Sequence, residues 1–115
     1  MPLVTAITVF YNREAHVAQS VESLLAQDYP NLEILLVDDG SKDGTLDALQ
    51  AYESDLRVSV ISGRNQGLVG ALRAAIAQAQ GSLIAIHGSG DISLPNRLSR
   101  QVEALGRAPC WPTAI

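Results

Sequence analysis

Short apolar runs alternate along this chain with segments of helical periodicity, four times over, and that alternation constrains the fold more than any other feature. The first run, residues 3–11, is rich in β-branched and aromatic residues and predicts a strand. Val17, Val21, Leu24 and Leu25 then recur on one helical face, and Tyr29-Pro30-Asn31 marks a turn. The second run, residues 32–37, contains Ile34-Leu35-Leu36-Val37, continuously apolar as in a strand covered on both faces. After a polar loop over 38–44, Leu46, Leu49 and Tyr52 mark a second helix. A short strand over 57–61 follows, then a loop and a third helix with the stripe Leu68, Leu72, Ile76 and Ala79. Gly81 stands where a left-handed helix cap is expected. Residues 83–86 predict the fourth strand. Pro95 predicts the first turn of a fourth helix, striped by Leu98, Val102 and Leu105 and ended by Gly106.

Strand and helix in strict alternation imply an α/β fold, a mostly parallel sheet flanked by helices with right-handed crossovers. A length of 115 residues suits one such domain, and a 47% hydrophobic content supplies its core. The domain is expected over residues 1–107, with an irregular tail over 108–115 containing Pro109 and Pro112.

Composition narrows the partners. The net charge is −4 and no basic block occurs, so the chain lacks the electrostatic footprint of a nucleic-acid binder. The single cysteine, Cys110, can form no internal disulfide, which fits a reducing, cytoplasmic setting. The opening Met-Pro-Leu-Val-Thr has neither the basic nor the long apolar stretch of a signal peptide. No apolar run is long enough to cross a bilayer, so no transmembrane segment is expected. The open edge of a small sheet leaves room for a homo-oligomer.

Ligands of open parallel sheets bind beyond the carboxyl ends of the strands, and the polar residues of this chain fall at those ends. Adjacent carboxylates, Asp38 and Asp39, close the second strand. They repel each other, and a ligand supplying N–H or hydroxyl donors, or a cation, would relieve both. An ordinary turn, with Ser41 or Asp43 capping the next helix, is the structural alternative. Three other polar strand ends converge with theirs, and that favours a ligand. Tyr11 either finishes the core or stacks on a base. Asn12 is better placed to cap the first helix than to bind ligand. Asn65-Gln66-Gly67 precedes a helix N-terminus, where anions are favoured, although no P-loop pattern is present. Arg73 either reaches a phosphate or is a solvated charge. His87, Gly88, Gly90 and Asp91 follow the fourth strand. The histidine is read as more structural than catalytic, and the glycines permit close approach of backbone to ligand.

Several stretches together resemble the inverting family 2 glycosyltransferases. These are residues 5–12, Val21-Glu22-Ser23-Leu24-Leu25-Ala26-Gln27, the run from Glu33 through Val37-Asp38-Asp39-Gly40-Ser41 to Thr45, Asn65-Gln66-Gly67-Leu68, and Asp91 through Pro95-Asn96-Arg97-Leu98 to Gln101-Val102. The resemblance implies a Rossmann-like GT-A fold that binds a nucleoside-diphosphate sugar, of UDP or TDP type, for transfer to a glycan or lipid-linked acceptor. It also implies a place in cell-envelope polysaccharide biosynthesis, at the cytoplasmic face of the membrane. By the same analogy Asp39 contacts the base, Tyr11 lies beside the nucleotide, Asp38 supports the loop, and Asn65 and Arg73 lie near the diphosphate or ribose.

Two departures from the family pattern stand out. The Asp-x-Asp signature, whose carboxylates bind ribose and a divalent cation (Mn2+ or Mg2+), aligns with Gly88 and Gly90, leaving Asp91. Asp91 stands either as a single metal ligand aided by the diphosphate or as a structural remnant. The acceptor half and its general base are expected beyond residue 115, so the matched part is the donor half. A noncatalytic nucleotide-sugar-binding or assembly module is the alternative function.

Overall fold

The computed structural model describes residues 3–88 and 96–105. Four strands, β1 (Val4–Phe10), β2 (Leu32–Asp39), β3 (Val58–Gly63) and β4 (Leu83–Ile86), pair in parallel in the order β3-β2-β1-β4. Four helices lie between and after them: α1 (Val17–Leu25, entered through a 3-10 turn at Glu14–His16), α2 (Thr45–Gln50), α3 (Gly67–Gln78) and α4 (Arg97–Leu105). The expected α/β architecture is therefore observed.

The chain steps outward from β1 to β3, then returns across the sheet to place β4 on the other side of β1. Right-handed crossovers moving in opposite directions put their helices on opposite faces. The core divides accordingly. On one face Val4, Ala6 and Phe10 of β1 and Ile34 and Leu36 of β2 pack with Val17, Val21 and Leu24 of α1, Leu49 of α2 and Leu98 of α4. On the other, Ile7, Leu35 and Val37 pack with Ala71 and Ala75 of α3. Strand side chains alternate between faces, so β1 and β2, covered on both, carry apolar residues at successive positions, as in Ile34-Leu35-Leu36-Val37. Among the described residues, no helix is long and apolar enough to cross a membrane.

Two local expectations are corrected. The stripe on α3 holds for two of its four residues: Leu72 and Ala79 pack, partly buried, beside the buried Ala71 and Ala75, while Leu68 and Ile76 are 62% and 45% exposed. Alanines present little side chain, so the helix can lie close over Ile7, Leu35 and Val37. Gly81 does not cap α3 in a left-handed conformation; among the described residues, the glycines with positive φ are Gly40 and Gly67. Gly81 is instead a point of close approach, where an added Cβ would stand 2.5 Å from Thr5 Oγ1. The Gly81 N–H donates to that hydroxyl (2.9 Å), which donates to Glu33 Oε1 (2.8 Å). Glu33 Oε1 also accepts from the Gln80 N–H (3.0 Å). This network fastens the approach to β4 against the starts of β1 and β2, away from the carboxyl ends.

Candidate functional site

Parallel register brings the strand ends together. Phe10 lies beside Asp38, and Asp39 beside Gly63. The His87 N–H donates to Ile7 O (2.9 Å), carrying β4 one residue further along β1.

Asp39 is only 4% exposed, and its carboxylate reaches across to α3. Oδ1 accepts from the Gln66 N–H at 2.8 Å and Oδ2 from the Gly67 N–H at 3.1 Å. The Asn65 side-chain amide donates to the Asp39 carbonyl (3.1 Å). A helix start leaves four backbone donors without partners and carries a partial positive charge. Asp39, distant in sequence, supplies the anion there. The anion expected at Asn65-Gln66-Gly67 is thus a carboxylate of the protein itself.

Asp38 is also buried, and its Oδ1 accepts from the Ser41 N–H (3.2 Å). The two acids are satisfied on separate loops by backbone donors, which removes part of the repulsion that the sequence assigned to a ligand. Each carboxylate still has acceptor capacity left for further donors.

Tyr11 is 42% exposed, whereas Phe10 before it is fully buried. Phe10 finishes the core, and Tyr11 is left exposed just beyond the carboxyl end of β1. Asn12 does not cap α1. It adopts a left-handed conformation (φ 51°) and joins two loops. Its Oδ1 accepts from the Lys42 N–H (2.8 Å), and its N–H donates to Ser41 Oγ (2.9 Å). Arg13 N–H to Thr45 Oγ1 (3.0 Å) and Gly44 N–H to Glu14 Oε1 (3.2 Å) continue this zip between the loops after β1 and β2.

Gly44 is the N-cap of α2 and makes no side-chain cap bond; Asp43, one residue before it, accepts from the Thr45 N–H at Oδ1 (3.0 Å). The Thr45 hydroxyl bond, the largest influence, holds the Asp43 carboxyl below its usual range against the opposing effect of burial, with backbone hydrogen bonds adding to the lowering. A lowered folded-state value contributes stability above the ordinary carboxylate pKa of about 3.9, and that stability is lost as pH falls through the folded value. An NMR titration is expected to place the Asp43 midpoint below that of a model peptide, and Thr45→Val to return it toward the ordinary range.

His87 is buried to 2% exposure. Its Nδ1 lies 3.0 Å from Arg97 Nη1. Arginine can only donate, so Nδ1 accepts and Nε2 carries the proton. Arg97 Nη2 also donates to the Ile86 carbonyl (3.1 Å). The Leu98 N–H donates to Gln27 Oε1 (3.0 Å), and Gln27 Nε2 to the Ser23 carbonyl (3.1 Å). The start of α4 is thereby pinned to β4 and α1. Arg97 and Gln27 were not singled out from the sequence; the available signal was a polar residue adjoining each apolar stripe.

Arg73 is exposed, six residues into α3, about 9 Å of helix rise beyond Gly67. Gly90 and Asp91 lie outside the described residues. Among the described residues, no group of three or more His, Cys, Asp or Glu could hold a metal ion. Exposed Gly88 offers only backbone.

The family profile described as Glycosyl transferase family 2 matches residues 5–110. This chain belongs to glycosyl transferase family 2. One curated family relative, the succinoglycan biosynthesis protein ExoO of Rhizobium meliloti, is 40% identical over 104 residues, covering 90% of this chain and 30% of ExoO. Among solved structures, the mannosyltransferase PcManGT of Pyrobaculum calidifontis, in complex with GDP-Man and Mn2+, is similar with a TM-score of 0.85 and 28% identity, over 90% of this chain and 32% of that one. S. aureus TarS 1-349 in complex with UDP gives 0.83 and 27%, again over 90% and 32%. The four-stranded parallel sheet with its helices is thus part of a GT-A glycosyltransferase fold. The chain spans between 30% and 44% of the length of the curated relatives it matches.

Proposed function

We propose that this chain binds a nucleoside-diphosphate sugar at the carboxyl ends of its strands, for transfer of the sugar to an acceptor hydroxyl. The observation that carries this reading is the surroundings of Asp39. Its buried carboxylate accepts from the Gly67 N–H, and Asp39 pairs with Gly63; at both glycines an added Cβ would meet nothing within 4 Å, so the neighbouring backbone borders open space. An ionised carboxylate is acceptor-only. Uracil and thymine present a ring N–H that such a group can accept; cytosine presents a bare ring nitrogen at the same place. The base is therefore assigned to the UDP or TDP type, with Asp39 reading it, exposed Tyr11 beside the nucleotide and Asp38 holding the neighbouring loop. Arg73 is assigned toward the ribose or diphosphate; Asn65, expected beside it, lies on the same loop with its side-chain amide donated to the Asp39 carbonyl.

The hydrogen bonds around Asp38 and Asp39 suit the holding of a sugar donor; they move no proton. In an inverting transfer the acceptor oxygen attacks the anomeric carbon as the nucleoside diphosphate leaves, and a base takes the hydroxyl proton. No described residue is assigned that role, and no step is routed through a cation. A glycan or lipid-linked acceptor at the cytoplasmic membrane face, in cell-envelope polysaccharide synthesis, fits the similarity to a succinoglycan biosynthesis protein.

Calorimetric titration with UDP, TDP, GDP and CDP, with and without Mn2+, tests the donor. The expected result is binding of UDP or TDP with a dissociation constant below about 1 mM and weaker binding of CDP, the loss of one hydrogen bond to a charged group being worth roughly tenfold. No heat with any nucleotide at millimolar concentration contradicts the reading. A preference for GDP reassigns the base, since guanine also presents N–H donors.

Gly88 favours a second reading, a binding module without transfer. Carboxylate oxygens are the usual ligands of Mn2+ and Mg2+, and Asp91 is the remaining candidate on that loop. The double replacement Gly88→Asp and Gly90→Asp is expected to tighten Mn2+ affinity by tenfold or more, on the order of one added charged ligand. Electron paramagnetic resonance of free Mn2+ reads this directly. Transfer of sugar to any acceptor by the 115-residue chain sinks the second reading.

A further inference from the structure

The bonds around Asp39 form more than a base-facing acceptor. Both carboxylate oxygens are engaged by the Gln66 and Gly67 N–H groups. The Asn65 amide holds the carbonyl of the same residue. Behind them the 64–67 loop lies directly on Gly40: a Cβ there would be 2.5 Å from Asn65 N and 3.1 Å from the Arg64 carbonyl carbon. The end of β2 and the start of α3 are thus held by three hydrogen bonds and one close backbone contact.

A carboxylate that discriminates between ring N–H and bare ring nitrogen must be fixed in direction, because a freely turning group accepts from many donors and selects poorly. The two backbone bonds fix the torsion of the Asp39 side chain. Asn65 fixes the backbone from which that side chain departs. The Asn65 amide donates at 3.1 Å to the Asp39 carbonyl, so its donor is directed at the protein.

We propose that Asn65 is a positioning residue: by latching the Asp39 carbonyl to the 64–67 loop it aims the Asp39 carboxylate, and so sets the discrimination between nucleotide bases. This rests on the reading of the site given above. The latch is made entirely by protein groups, so base recognition draws on order built into the start of α3. A residue that only touched ribose or diphosphate would contribute alike to every nucleotide. A positioning residue contributes to the difference between bases.

The test uses the 115-residue chain with Asn65→Ala and the near-isosteric Asn65→Asp, which keeps the shape and loses the donor. Affinities for UDP and CDP are measured for each, together with hydrogen exchange of the Gln66 and Gly67 amides without ligand. The expected result is a fall in the UDP-to-CDP affinity ratio of about five- to tenfold in both variants, the effect of one hydrogen bond, with faster exchange at both amides. Asn65 is exposed, so neither variant is expected to unfold, and an unchanged denaturation midpoint checks this. Equal weakening toward both nucleotides overturns the proposal, as does unchanged exchange. A parent chain that binds neither nucleotide overturns the reading of the site and the base-discrimination proposal with it; the exchange data then decide separately whether the latch orders the loop.

Discussion

Phe10→Ala is expected to lower the unfolding free energy by about 3–5 kcal/mol, the usual cost of removing a buried aromatic ring. Phe10 is fully buried at the end of β1, packed in the face that also holds Val17, Val21 and Leu36. It lies beside Asp38 and directly precedes Tyr11. The cavity would therefore open under the strand ends where the site residues stand. A domain of this kind has roughly 5–15 kcal/mol of stability in all, so the loss leaves little margin. Chemical denaturation measures it, and a loss under about 1 kcal/mol would show that the site end of β1 is not built on this ring. Phe10→Leu, which keeps most of the volume, is expected to cost under about 2 kcal/mol.

Gly40→Ala is the second large effect, and it falls on the site itself. Gly40 has φ 75°, a conformation that costs residues with a Cβ about 1 kcal/mol or more. The added methyl would also stand 2.5 Å from Asn65 N and 3.1 Å from Asn65 Cα. Those neighbours are backbone, so no side chain can turn aside; the loop must move. Overpacking of this kind adds about 1–3 kcal/mol. The sum is about 2–4 kcal/mol, a fall in Tm on the order of 10 °C for a domain of this size. A displaced loop also breaks the bonds from Gln66 and Gly67 to Asp39, so nucleotide affinity should fall with stability. Calorimetric melting and nucleotide titration on one preparation test both halves. An unchanged Tm would mean that the loop is not seated on Gly40.

The strands and helices were legible because both faces of β1 and β2 are buried. That leaves continuous apolar runs such as Ile34-Leu35-Leu36-Val37, and the helices between them carry their own period. The boundary at Val37 was less legible. Asp38 and Asp39 read as loop because they are acidic, yet β2 continues through them, since Ser62 and Gly63 of β3 pair alongside. The stripe on α3 was right at Leu72 and Ala79 and wrong at Leu68 and Ile76, whose places against the sheet are taken by Ala71 and Ala75. The helix turns its small side to the sheet, where close approach matters more than side-chain area. Asn12 looked like a cap for α1 because asparagine is a good cap; its bonds go instead to Ser41 and Lys42, 29 and 30 residues away. Asp39 was found as a strand-end acid, while its hold on Gln66 and Gly67 was not. That pairing depends on how two crossovers place β3 and α3 beside β2, and no local pattern encodes it. The same holds for Arg97 against His87, which meet only once β4 and α4 are in place.

Chemical-shift mapping of the isotopically labelled 115-residue chain with UDP tests the central claim most directly. The account predicts that the largest backbone shifts cluster at Tyr11, Asp39, Gly63 and the Asn65–Gly67 loop. The Thr5–Glu33–Gly81 network, at the opposite end of the sheet, should stay still. Saturable shifts confined to that opposite end, or none at millimolar UDP and TDP, would contradict it.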